Sequence, residues 1–71
     1  MTAKGFVKIL LAKEGLKMKE LINLANEKSD KKYTIDGLSH KMRLGTLRFE
    51  DVEFFAKILG YEIELKKIDL D

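Results

Sequence analysis

The sequence predicts a mainly α fold: four short helices in one domain, residues 1–71, followed by a single C-terminal β-strand. Three observations lead there. Apolar residues recur at spacings of three and four in successive windows, as they do in helices buried on one face. Gly15, Gly45 and Gly60 each stand just after such a window, where helices commonly end. Beyond Gly60 the period changes to two, with Tyr61, Ile63 and Leu65 alternating with Glu62, Glu64 and Lys66.

The first helix is expected over about residues 2–14. Phe6, Val7, Leu10 and Leu11 make its apolar stripe, and Ile9 lies to the side. Gly15 stops it and Leu16 re-enters the core. The second helix is expected over 18–27, with Leu21, Leu24 and Ala25 buried and Ile22 adjacent. Lys17 stands where a capping Ser or Thr is usual, so this start is weakly marked. Residues 28–32 are polar and carry turn chemistry.

The third helix is expected over 34–44. Thr34 is its cap, Asp36 sits in the first turn where negative charge is favoured, and Leu38 and Met42 are its anchors. It is poor in apolar residues and contains Gly37, which costs about 1 kcal/mol relative to alanine in a helix interior. Such a helix is either marginal or kept for its exposed face. The fourth helix, over 49–59, has a strong stripe of Phe49, Val52, Phe55, Ala56 and Leu59, with Glu50, Asp51 and Glu53 near its positive end.

The strand is expected over 61–66. A lone strand leaves its backbone groups unpaired, and the simplest partner is the same strand of a second copy. A two-fold homodimer through Tyr61, Ile63 and Leu65 is therefore expected. The alternative is a tail lying on the helical core without pairing.

Composition narrows the function classes. A chain of 71 residues makes one domain with a small core, for which dimerisation is a common support. The sequence has no cysteine, which removes disulfides, thiolate metal sites and cysteine nucleophiles and suits the cytoplasm. Its single histidine, His40, would need carboxylate partners to hold zinc, and no metal or cofactor is expected. No apolar run approaches the roughly 20 residues of a membrane span, and no secretory signal is expected at the start of the chain. Ser39 and His40 are sequence neighbours, about 100° apart on a helix, and cannot form a nucleophile–base pair. With no phosphate-cradling glycine loop either, an enzyme is not expected.

Charge is distributed unevenly. Residues 1–48 hold eleven Lys/Arg against five Asp/Glu, a balance of +6, while residues 49–71 hold three against seven, a balance of −4. A chain polarised in this way can offer a basic face to a polyanion, or can simply carry solvated helix faces of uneven charge.

Leu16-Lys17-Met18-Lys19-Glu20-Leu21, the run Leu38-Ser39-His40-Lys41-Met42-Arg43-Leu44-Gly45-Thr46-Leu47, and Phe55-Ala56-Lys57-Ile58-Leu59-Gly60-Tyr61 fall in an order with a known parallel. Together they resemble lambda-repressor-like helix-turn-helix domains of the XRE type, in a short phage- or plasmid-type variant. The resemblance covers about residues 6–61. The first run matches the start of helix two, the second the recognition helix and its glycine turn, and the third the closing helix. The connection over 28–33 is longer than the tight turn usual in that family. The resemblance implies sequence-specific binding of double-stranded DNA by a dimeric transcriptional regulator, a repressor by default, on a pseudo-palindromic site.

The residues support the same reading independently. A helix enters the major groove when its outer face carries polar and basic side chains. With Leu38 and Met42 turned inward, Ile35, Asp36, Ser39, His40 and Arg43 fall on or near the outer face and are the candidate base contacts. Lys17, Lys19, Lys31, Lys32, Tyr33, Thr34, Lys41 and Arg48 are the candidate phosphate contacts, with backbone amides near Lys17 and Phe49. Each has a plainer role beside it: Lys41 and Arg43 complement a helix dipole, Tyr33 plugs the core, His40 is a surface histidine. The runner-up function is a protein-interaction module on the same fold, antitoxin- or anti-repressor-like, that binds no DNA and docks through its acidic second half.

Overall fold

The computed structural model describes residues 2–64 and 67–69. Its helices are α1 (Ala3–Glu14), α2 (Met18–Glu27), α3 (Ile35–Leu44) and α4 (Phe49–Ile58). The fold is mainly α, as its apolar spacing requires. Thr2 and Thr34 stand just outside α1 and α3 as N-caps, their hydroxyls accepting from the amides of Gly5 and Gly37 at 3.0 Å each. Lys17 offers no such oxygen. The start of α2 is closed from inside instead, by Glu20 Oε1 accepting from the Lys17 amide at 3.0 Å.

Glycines shape the far ends. Gly45 after α3 and Gly60 after α4 adopt φ of 72° and 86°, a left-handed geometry that side chains resist. The amide of the following residue then donates back into the helix, Thr46 to the Lys41 carbonyl at 2.9 Å and Tyr61 to the Ala56 carbonyl at 2.8 Å.

α3 and α4 each pack against both α1 and α2. Val7, Leu10, Leu21, Ile22, Ala25, Leu38, Met42, Val52, Phe55 and Ala56 form the core they share, completed by Leu47 from the α3–α4 connection. Two details depart from the stripes expected. In α2 it is Ile22 rather than Leu24 that is buried, Leu24 being half-covered. At the head of α4, Phe49 is 58% exposed while Leu47, before the helix, is 8% exposed and takes the core position. Side chains on a helix lean toward its N-terminus, so one on the first residue leans off the end of the element rather than over its packed face.

The α2–α3 connection is long but pinned. Asn26 holds the backbone of Tyr33 from both sides, its Oδ1 accepting from the Tyr33 amide at 2.7 Å and its Nδ2 donating to the Tyr33 carbonyl at 3.0 Å. Ser29 Oγ accepts from the Lys31 amide at 3.1 Å. One residue of α2 thus holds the connection just ahead of the cap of α3.

The expected C-terminal strand is not found among the described residues. There is no strand there, and residues 61–64 take no regular structure. Tyr61 and Ile63 instead pack against the core of their own chain. The Tyr61 hydroxyl donates to Glu14 Oε2 at 2.9 Å, and Lys13 Nζ lies 5.8 Å from the centroid of its ring. Alternation supplies one apolar edge, but a strand also needs a ladder partner, and none is present among the described residues. Leu65 and Lys66, the remainder of that expectation, lie outside the described residues. No helix among the described residues is long and apolar enough to cross a membrane.

Candidate functional site

Only two side chains hold α3 to the molecule. Leu38 is 3% exposed and Met42 7%, while the other eight residues of the helix face outward. Asp36, Ser39, His40 and Arg43 line one open hollow together with Gly37. Ile35 is exposed at the head of the same helix, outside that hollow.

The hollow has an internal bond. Arg43 Nη2 lies 2.9 Å from His40 Nδ1. A guanidinium has only N–H donors, so Nδ1 accepts, and the neutral imidazole carries its proton on Nε2. Asp36 has no hydrogen-bond or ionic partner among the described residues. The outer face of α3 therefore offers a carboxylate near its start and N–H donors near its end.

Five of the eight expected phosphate contacts come together in a second hollow. Lys31, Lys32, Tyr33, Lys41 and Arg48 line it, drawn from the α2–α3 connection, α3 and the residue capping α4. Thr34 borders the adjoining recess, its hydroxyl engaged in capping α3. Lys17 and Lys19 stand apart at the start of α2, exposed. The Lys17 amide, expected to donate to phosphate, is already taken by Glu20.

A buried acid lies at the floor of this basic hollow. Asp51 is 6% exposed, in the first turn of α4 where the helix dipole favours its charge. Its Oδ1 accepts from the Tyr33 hydroxyl at 3.2 Å and lies 3.9 Å from Lys31 Nζ. Burial first, and then the Asp51 charge, push the Tyr33 phenol up to about 12. The Tyr33 ring sits 5.2 Å from Phe55, edge to face, and 6.3 Å from Phe54, stacked. Tyr33 thus serves the core and borders the hollow at once. Arg48 pairs with Glu50 at 3.2 Å in a solvated ion pair, whereas Lys32 and Lys41 have no acidic partner among the described residues.

The Tyr33–Asp51 link, the Asn26 clamp and the His40–Arg43 bond were not expected. The first two join residues 18 and seven apart across a connection, for which sequence carries no periodic signal. The third had one: positions three apart on a helix are neighbours, and the only histidine stands three before an arginine.

No family model, no curated protein sequence and no solved structure matches the chain.

Proposed function

We propose that the chain is a sequence-specific double-stranded DNA-binding protein, a cytoplasmic transcriptional regulator of lambda-repressor-like helix-turn-helix type. The observation that carries this reading is the placement of α3. Two apolar anchors hold it, and Ile35, Asp36, Ser39, His40 and Arg43 are all left exposed. A helix built mainly for stability would bury more than Leu38 and Met42. In the groove, the outer face of α3 meets base edges, and Lys31, Lys32, Lys41 and Arg48 beside it meet phosphates. Repression follows from occupying a promoter site. A dimer on a pseudo-palindrome belongs to the proposal because a single short helix reads few bases. It rests on that argument and on the small size of the core, not on a strand.

A gel shift with mixed duplex fragments at low and moderate salt tests the reading. Binding that weakens steeply with salt is expected, because each neutralised phosphate releases a counterion. Replacing Lys41 and Arg43 together by alanine should weaken binding while leaving the melting temperature near that of the parent, since both side chains are exposed. No binding at either salt contradicts the proposal. It would favour an interaction module, for which the exposed Leu44 and Phe49, each 58% accessible, are the natural anchors.

A further inference from the structure

We infer that His40 and Arg43 act as one guanine-reading unit, with Asp36 reading cytosine at the other end of the same face. This rests on the DNA-binding reading above and names the sequence class it selects. The bond of 2.9 Å between Arg43 Nη2 and His40 Nδ1 uses the only lone pair of the neutral imidazole. What the pair then presents to an outside molecule is donors alone: Nε2–H of His40 and the remaining N–H groups of Arg43. Guanine is the one base whose major-groove edge carries two acceptors, N7 and O6, and no donor. Adenine and cytosine each place an amino group there, facing a donor with a donor, and thymine places a methyl group beside its single acceptor.

The bond also has a positioning role. Arg43 is exposed, and no acid pairs with it among the described residues, so His40 is what fixes its long side chain to the helix. Asp36 lines the same hollow and offers only acceptors, which suits the cytosine amino group. Asp36 and Arg43 are about 10 Å apart along the helix axis, which corresponds to about three base steps of duplex. The preferred site therefore holds guanine opposite the end of α3 and cytosine about three steps away, toward its start.

Selection of bound duplexes from a fully randomised pool tests this, using the full chain and the variants His40→Ala, His40→Gln, Arg43→Lys and Asp36→Ala. The parent should enrich a guanine, with a cytosine about three steps from it. The readout is the ratio of affinities for the enriched duplex and for the same duplex with that guanine replaced by adenine. Arg43→Lys, which keeps the charge and loses the planar fork, should cut this ratio about tenfold or more. His40→Ala should also cut it, and His40→Gln, whose side-chain oxygen still accepts, should restore most of it. Asp36→Ala should relax the cytosine position alone. Enrichment of a site without guanine overturns the inference, and so does a guanine ratio unchanged in His40→Ala. If the parent retains no duplex at all, the DNA-binding reading fails with it. Enrichment of a different base pattern would leave DNA binding standing and remove only the guanine unit.

Discussion

At the scale of single residues, Asp51 is the buried acid around which the α2–α3 connection is organised. A carboxylate held at 6% exposure is costly unless it is paired. Here the Tyr33 hydroxyl, Lys31 and the first turn of α4 share that task. Tyr33→Phe removes the hydroxyl and leaves the acid with less support, so a loss of about 1–2 kcal/mol of stability is expected in urea unfolding. A second consequence concerns alkali. The folded phenol loses its proton near 12 and an unperturbed one near 10, so between those values the folded chain holds a proton the unfolded chain has released. Stability from this group is full below the lower value and falls as pH rises through the upper one. The hydrogen bond from Tyr61 to Glu14 raises that phenol too and acts in the same direction. Melting curves at about pH 9 and about pH 11.5 should show a smaller loss for Tyr33→Phe than for the parent. Asp51→Asn removes the charge and should move the Tyr33 titration back toward its ordinary value in an ultraviolet titration.

At the scale of elements, helix existence was legible and side-chain commitment less so. Period and punctuation follow from backbone geometry, so Thr34, Gly45 and Gly60 mark real boundaries. What covers a stripe depends on the rest of the chain. The stripe of α4 begins at Phe49 on paper, yet Leu47 fills the space because its place is set by the turn after Gly45. For the same reason the alternation of Tyr61 and Ile63 described one apolar edge correctly, but the edge settles on the core of its own chain instead of pairing as a strand. The outer face of α3 was the most legible part of the site, because two anchors four residues apart fix the orientation of the whole helix. Two glycines separate conformational from steric effects. A methyl group on Gly45 meets nothing within 4 Å, so Gly45→Ala suffers only the left-handed φ and should cost about 1–2 kcal/mol. A methyl group on Gly37 would lie 2.9 Å from the capping Thr34 Oγ1. The weakened cap, about 1 kcal/mol, then offsets a helix-propensity gain of about 1 kcal/mol. Thermal melts should therefore rank Gly45→Ala clearly below Gly37→Ala, with the latter close to the parent.

At the scale of the whole molecule, the basic balance of residues 1–48 is gathered partly on one side. Lys31, Lys32, Lys41 and Arg48 surround a single hollow beside α3, although they come from three separate stretches of chain. The excess charge is legible in the sequence, but this gathering is not, because the connection that carries Lys31 and Lys32 is held by contacts without periodic signal, the bonds of Asn26 to Tyr33 among them. Lys32 and Lys41 lack acidic partners among the described residues, so they are the pair with most to give a phosphate. Replacing both by alanine should reduce the slope of log affinity against log salt by about 2, while the melting temperature stays within a few degrees. The most direct test of the whole proposal is a nuclear magnetic resonance titration of the labelled chain with a selected duplex. Amide shifts should concentrate on residues 35–43, residues 31–33 and Arg48, and leave the α1 face that carries Lys13 and Glu14 quiet. Shifts confined to α1, the C-terminal segment or the exposed Leu44 and Phe49, with residues 35–43 undisturbed, would contradict it.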